Sequence, residues 1–224
     1  LSACTTPLLA QRTWIVDRNG GGNFTQIQPA INAAASGDTI LVRAGTYPGF
    51  TLSGKSLAII GDGNVRAFTQ TSRSWFGAII NNVGLGQRAV LRGMTLPQGF
   101  GLGSGVLASR CPGEVHLDQV TAASLSFTDV GQATFHEVAT ASAQLTNTTA
   151  TLADCDLGPG GLAGALQCGQ SHVTVSGGTI TGPNGPLSSN AVVINGGRLT
   201  LTGDARTVIR AGPSPAGSAV RMSQ

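Results

Sequence analysis

The sequence predicts an all-β protein that winds into one parallel β-solenoid, with a short helix near its beginning. Three observations support this prediction: the composition, a strand-and-turn pattern that begins at Trp14, and internal repeats of about 18 residues. A length of 224 residues suits one domain or one long solenoid.

The composition favours many short strands joined by tight turns. Glycine accounts for 33 residues, about twice its average usage, and only 10% of residues are charged, against about a quarter in most proteins. Hydrophobic residues make up 41%, which excludes disorder caused by low hydrophobicity. The basic residues are scattered singly, so no nucleic-acid partner is expected, and no apolar run approaches the length of a transmembrane segment.

The first residues are typical of exported proteins. The run Leu1-Ser2-Ala3-Cys4 has the form of a bacterial lipoprotein signal box, which predicts a lipid anchor at Cys4. The alternative is the end of an ordinary signal peptide, cut near Ala10. Both interpretations predict a secreted or cell-surface protein after bacterial export. We expect residues 1–13 to be a signal remnant or a flexible terminus, and residues 14–224 to form the domain.

The cap of the solenoid is expected over residues 14–38. A short strand at 14–17 is followed by a glycine-rich loop. Thr25 and Gln28 have the spacing of a capping box at the start of a helix. The apolar stripe of that helix recurs at helical spacing, at Ile27, Ala30, Ile31, Ala34 and Ala35. Residues 36–38 end the helix.

The coils are expected over residues 39–210. Residues 39–42, 50–52 and 57–60 have strand character. Residues 44–49 are predicted to form a turn between the first two of these strands.

This opening resembles the first part of right-handed parallel β-helix proteins of the pectin-lyase-like superfamily. The shared pattern covers residues 14–63 and comprises a Val-Asp strand, a glycine loop, Phe-Thr-x-Ile-Gln, an Ala-rich helix, Gly-Asp-Thr-Ile-x-Val, Gly-x-Tyr and Ser-Leu-x-Ile-x-Gly. The resemblance implies a right-handed parallel β-helix whose short N-terminal helix covers the end of the solenoid. An open end would expose strand edges and core, so it needs such a cap.

Internal repeats support the solenoid independently of this resemblance. Residues 115–120 align with 133–138, and these align in turn with 150–155. Between them, residues 124–130 align with 142–148. The alignment gives one shared inward position to Leu117, Phe127, Phe135, Leu145 and Leu152. Later coils are longer, which is expected where loops are inserted on one face.

The repeat alignment also brings rare titratable residues onto one outer strip. Asp118 and His136 occupy equivalent positions in successive coils, and Glu137 and Asp154 occupy the next position. Successive coils lie about 4.8 Å apart. An aspartate beside a histidine raises the histidine pKa and orients the ring as a base, so these four residues are candidate catalytic residues. Glu137 and Asp154 are also candidate ligands for Ca²⁺.

The alternative interpretation of this outer strip is a solvated face whose charges simply point outward.

Other candidate residues lie outside the strip. Arg73 and Trp75 fall in a predicted loop, where an aromatic ring and a cation can bind a sugar or pack onto the solenoid wall. Cys155 and Cys168 either form a disulfide or are small buried hydrophobic residues. His116, Asp129 and His172 are further surface candidates.

The resemblance implies a fold but no catalytic residue. The paired-Asp and Arg-Ile-Lys signatures of polygalacturonases are absent, as are Gln-Asp-Thr and Asp-Phe-Ile-Phe-Gly of pectin methylesterases and Arg-x-Pro-x-x-Arg of pectate lyases. These absences favour a carbohydrate-binding or surface scaffold module. The alternative is a lyase or hydrolase that acts on an acidic polysaccharide. The expected partner is a polysaccharide or a cell-surface glycan, and the protein is expected to be a monomer.

Overall fold

A computed structural model describes residues 11–70, 75–97, 104–159, 164–182, 190–202, 207–211 and 219–223. It contains one helix, α1 (Ile27–Ala33), in this part of the chain. The strands are β1 (Thr13–Val16), β2 (Thr39–Tyr47), β3 (Phe50–Ser53), β4 (Ala58–Ala67), β5 (Thr69–Gln70), β6 (Trp75–Asn81), β7 (Arg88–Leu96), β8 (Ser104–His136), β9 (Ala139–Leu157), β10 (Leu166–Thr181), β11 (Val192–Leu201), β12 (Val208–Arg210) and β13 (Val220–Ser223).

The strands form a single 13-stranded sheet that is wound into a parallel β-helix. The main path runs in chain order from β1 through β2, β4, β7, β8, β9, β10 and β11 to β13, with parallel pairing at every step. The short pair of β5 with β6 is antiparallel. The all-β solenoid predicted from the sequence is confirmed.

Each central coil has three faces, which the residues of β8 illustrate. We call the face that contains residues 114–118 face A, the face that contains 120–122 face C, and the face that contains 124–128 face B. Faces A and C stack on β7 on one side, and faces B and C stack on β9 on the other. Alternation along each strand turns every second side chain into the core.

The five aligned apolar residues are all buried, but they belong to two faces rather than to one inward position. Leu117 pairs with Leu91 on face A, and Phe127 pairs with Leu145 on face B. Phe135 and Leu152 pair with each other on face A. The edge of one ring meets the face of the other between Phe127 and Phe135, with centroids 4.9 Å apart, so the two faces pack together in the core.

The corners of the coils use left-handed backbone conformations at residues other than glycine. At the corner between faces A and C, Gln119, Glu137 and Asp154 have φ of 53°, 51° and 51°. At the corner between faces B and A, the same conformation occurs at Asn82, Arg110, Asp129, Asn147 and Gln170. Asparagine and aspartate tolerate this conformation better than most residues. The repeated conformation turns the chain sharply at the same place in successive coils.

The helix α1 covers the N-terminal coil, but its start differs from the prediction. The predicted apolar stripe of α1 faces the core, where Ile27, Ala30 and Ile31 are buried. The predicted capping box is wrong: the N-cap residue is Gln26, and no side chain caps it. The Gln28 amide bonds instead to both the N–H and the carbonyl of Thr51, because β3 offers it a better placed partner.

Two charged side chains attach this cap to the first coils. Asp38 is buried and accepts hydrogen bonds from the backbone N–H of Arg12 and Ala35 and from the indole N–H of Trp14, at 2.9 to 3.0 Å. The Lys55 ammonium donates to three carbonyl oxygens at the end of α1, those of Ile31, Asn32 and Ala34. It therefore satisfies the backbone groups that a helix C-terminus leaves without partners.

Two smaller predictions are corrected by the structure. Strand β2 continues to Tyr47, so the turn predicted at 44–49 begins later. The register of β2 with β4 shifts after Arg43, because β4 has one extra residue before Val65 pairs with Gly45. The disulfide alternative is wrong, because Cys155 and Cys168 are unpaired and lie buried in the core. Burial raises the pKa of the Cys155 thiol to about 11 and that of Cys168 to about 12.

The part of the chain that the structure describes contains no helix that is long and apolar enough to cross a membrane.

Candidate functional site

The most charged part of the described surface lies on face A, where β7 and β8 stack. We call this surface the charged strip; it comprises Arg88, Arg92, Glu114, His116, Asp118 and His136. Strand register places Arg88 beside Glu114 and Arg92 beside Asp118. The residues between them, such as Leu91 and Leu117, point into the core, so the charged side chains necessarily point outward.

Asp118 is the centre of the first cluster on the strip. Its Oδ1 accepts a hydrogen bond from His136 Nδ1 at 2.8 Å, and its Oδ2 lies 3.0 Å from Arg92 Nε. The Asp118 side chain is 28% exposed, whereas those of Arg92 and His136 are about half exposed. The structure thus brings Asp118 and His136 together as the repeat alignment predicts. Their catalytic role stays a prediction.

This contact changes the protonation of His136. The hydrogen bond to Asp118 raises the pKa of the imidazole, the small desolvation of the ring opposes it, and the charges of Asp118, Glu137 and Asp154 raise it further. The ring therefore carries a positive charge over a wider pH range than an ordinary histidine. An imidazole that is hydrogen-bonded to a carboxylate and has a raised pKa is better suited to holding an anion than to removing a proton at neutral pH.

Glu114 is the centre of a second cluster with the same composition. Its Oε2 accepts from Arg88 Nε at 2.7 Å and from His116 Nε2 at 3.1 Å. The hydrogen bond from Arg88, followed by that from His116, lowers the pKa of Glu114. Sequence reasoning missed Arg88 and Arg92, because the loop at 84–87 interrupts the repeat just before them.

The two carboxylates proposed as calcium ligands do not form a cage. The Glu137 Oε2 accepts from the Gln119 amide at 2.9 Å, on the coil before it. The Asp154 carboxylate lies against Gly177 of the following coil. A Cβ atom added to that glycine would be only 2.1 Å from Asp154 Oδ1. In the part of the chain that the structure describes, no group of three or more His, Cys, Asp or Glu side chains is placed to hold a metal ion. The role of Glu137 and Asp154 as calcium ligands stays a prediction.

The remaining sequence candidates lie elsewhere. Arg73 is outside the described residues. Trp75 begins β6, where its backbone pairs with Gln70, and the proposed stacking of its ring on a sugar stays a prediction. Asp129 and His172 lie together along a surface groove at the corner between faces B and A.

That groove has a volume of about 400 Å³ and spans several coils. We call it the corner groove. Its lining includes Pro112, Asp129, Gly131, Asn147, Gln170 and His172. The sequence contained a signal for this groove: the repeat alignment places two polar residues, Asp129 and Asn147, at the same position of successive coils.

A larger groove of about 620 Å³ lies beside the cap and is lined by Arg18, Tyr47, Pro48 and Phe68 among others. Its polar groups are already used to attach the loop after β1. The Arg18 guanidinium donates to the Thr46 carbonyl at 2.5 Å, and the Arg18 backbone N–H donates to the Tyr47 hydroxyl at 3.3 Å. We therefore assign this groove to the architecture of the cap.

Comparisons with protein families, with curated proteins and with solved structures find no match to this chain.

Proposed function

We propose that this chain is a pectin-lyase-like β-helix, secreted or displayed at the cell surface, that binds carbohydrate through the charged strip. The parallel solenoid and the resemblance over residues 14–63 support the superfamily. The polar outer strip on a rigid sheet supports a binding role.

The observation that carries the proposal is the pair of partly exposed guanidinium groups on the strip, each held by a carboxylate. Each of the two carboxylates, Glu114 and Asp118, is shared by one arginine and one histidine. A guanidinium has five N–H donors, and each arginine makes its ion pair through Nε. The remaining N–H groups of both guanidiniums are therefore left to donate to a partner. Carboxylated polysaccharides provide the matching acceptors and charge.

The sheet beneath the strip reduces the cost of binding. The backbones of β7 and β8 are paired over eight residue pairs, and the core side chains between the strip residues are buried. A rigid surface loses little conformational freedom when a ligand binds, so more of the contact energy appears as affinity.

One observation favours the alternative, an enzyme that acts on an acidic polysaccharide. Asp118 holds the imidazole of His136 through Nδ1, which directs Nε2 away from Asp118 on a half-exposed ring. This is the arrangement in which a carboxylate positions a general base or acid. The raised pKa of His136 argues against a base at neutral pH and is compatible with an acid.

The test of binding is retention on immobilised polygalacturonate, compared with the same polymer after complete methyl esterification. We expect retention on the acidic polymer to fall at least about tenfold in the double variant Arg92→Gln/His136→Gln. The matched control is Arg110→Gln, which removes one positive charge at an exposed position of the corner between faces B and A, outside the strip residues. Equal retention by the double variant, or an equal loss in Arg110→Gln, would contradict specific binding at the strip.

The test of catalysis is a depolymerisation assay on pectate, alginate and glycosaminoglycans that follows reducing ends and unsaturated products. Activity that disappears in His136→Gln, with an unchanged melting temperature, supports the enzyme. Absence of products from a folded wild-type protein that is still retained on polygalacturonate supports the binding module.

A further inference from the structure

A second surface of the molecule, the corner groove, has a different chemistry from the charged strip. It lies on the turn from face B to face A and is lined by residues of successive coils. Among the described residues that line it there is no arginine or lysine, and the titratable ones are Asp129 and His172. We propose that the corner groove is a separate binding site for a neutral, hydroxyl-rich oligosaccharide.

The backbone at the corner sets the spacing of the polar groups. Asp129, Asn147 and Gln170 have φ of 55°, 48° and 50°, and pairing of the residues just before them places the three at equivalent positions in consecutive coils. Neighbouring parallel strands lie about 4.8 Å apart. The groove therefore presents one carboxylate and two amides in a regular row along the solenoid axis.

A hydrogen bond fixes the orientation of this row. The Asn147 side-chain nitrogen donates to Asp129 Oδ1 at 2.7 Å. The amide oxygen of Asn147 is consequently turned away from that carboxylate and can accept, while its second N–H can donate. Paired acceptors and donors in fixed geometry suit vicinal hydroxyl groups, because each hydroxyl both donates and accepts.

The wall of the groove is open and partly apolar. A Cβ on Gly131 would lie 2.3 Å from the Pro112 carbonyl oxygen, so no other residue fits there without a shift of the backbone. The Pro112 residue is exposed beside it. An exposed proline ring next to a position without a side chain offers a surface for the C–H face of a sugar. Binding sites commonly combine such apolar surface with a few fixed polar groups.

Charge separates this site from the strip. The Asp129 carboxylate repels a polyanion, and no arginine or lysine among the lining residues compensates it. The strip, by contrast, has two arginines, Arg88 and Arg92, whose guanidinium groups are about half exposed. The corner groove should therefore select uncharged sugars where the strip selects charged ones.

The experiment is calorimetric titration of the whole protein with neutral hexasaccharides built from glucose, mannose, xylose or galactose. We expect one of these series to bind with a dissociation constant below about 1 mM. The variant Asn147→Gly/Gln170→Gly removes both amides and keeps residues that accept positive φ. We expect it to bind at least about tenfold more weakly. The matched control, Asn82→Gly, changes the same residue type at the same corner outside the groove and should bind like the wild type.

The results of this titration can be distinguished from those of the polygalacturonate test of the charged strip. Loss of neutral-sugar binding in Asn147→Gly/Gln170→Gly, with retention on polygalacturonate unchanged, supports the corner groove even if the strip proposal fails. Absence of binding by every neutral series overturns it. Unchanged affinity in the double glycine variant, or an equal loss in Asn82→Gly, also overturns it.

Discussion

Asp38 and Asp118 are carboxylates that both accept hydrogen bonds from neighbouring segments, in two different regions of the molecule. Each carboxylate accepts from donors that are far away in the sequence: Asp38 from Arg12 and Trp14, and Asp118 from His136. Asp38 lies under the cap and is 4% exposed. The Asp118 side chain lies on the charged strip and is 28% exposed. The difference is how much water each carboxylate has lost.

That difference separates a structural carboxylate from one that can exchange partners. The Asp38 carboxylate is buried, so removing it takes the shared acceptor away from three partly buried hydrogen bonds. At Asp118, water and a bound ligand can both replace a partner at modest cost. The cap therefore uses its charge for stability, and the strip keeps its charge accessible for recognition.

The largest effect is expected at the cap. Asp38→Ala should lower the free energy of unfolding by about 3 kcal/mol, because three donors lose the buried charged acceptor that they share. Urea denaturation followed by circular dichroism measures this. The control is Asp62→Ala, which removes an exposed carboxylate that pairs with Arg43 and should cost under about 1 kcal/mol. Similar losses in the two variants would contradict the contrast.

The second effect is a difference in pH dependence. Burial would raise the pKa of Asp38, but the hydrogen bonds from Arg12, Trp14 and Ala35 lower it overall from 3.8. Its contribution to stability is therefore complete above pH 3.8 and is lost as the pH falls through the folded-state value. The raised pKa of His136 has the opposite sign: its contribution is complete below pH 6.5 and is lost as the pH rises through the folded-state value.

Melting temperatures measured from pH 2 to pH 9 on the wild type, Asp38→Asn and His136→Gln test both signs. The wild-type advantage over Asp38→Asn should shrink only at the acid end. The smaller advantage over His136→Gln should shrink only at the alkaline end. An advantage of either kind that shrinks at the other end would contradict the assignment.

The smallest effect on stability is expected at the strip. Asp118→Asn should change the free energy of unfolding by less than about 1 kcal/mol, since its partners are about half exposed. The same variant should lower the pKa of His136 towards 6.5, because the hydrogen bond and the charge that raise it are lost. An NMR titration of the imidazole measures the shift. A pKa that does not move would show that Asp118 does not control the ring.

The sequence could predict the solenoid and one contact of the strip, for a physical reason. In a parallel coil the register between neighbours equals the repeat length, so an alignment of 18 residues translates directly into the contact of Asp118 with His136. The apolar stripe likewise predicted which side of α1 is buried. These features depend on local periodicity, which a single sequence displays.

Other features depend on contacts that periodicity does not encode. Arg92 joins Asp118 across a coil of a different length, 26 residues before it, so the 18-residue alignment did not include it. The hydrogen bond from Lys55 to the Ile31 carbonyl at the end of α1 joins residues 24 apart, so it forms only once the chain has folded back on the helix. The left-handed corners occur at glutamine and glutamate as well as asparagine, so residue preference alone did not mark them. The neighbouring coil fixes those conformations.

The stacking of coils also affects how quickly this chain can find its structure. Contacts between coils join residues 18 apart at Asp118 and His136, 23 apart at Thr148 and Ser171, and 32 apart at Ser56 and Arg88. These separations are set by the length of one coil rather than by the length of the chain. The entropy lost in closing each loop is therefore that of a few tens of residues. A coil formed anywhere can act as the template for the next, so folding can spread along the axis in steps of similar difficulty.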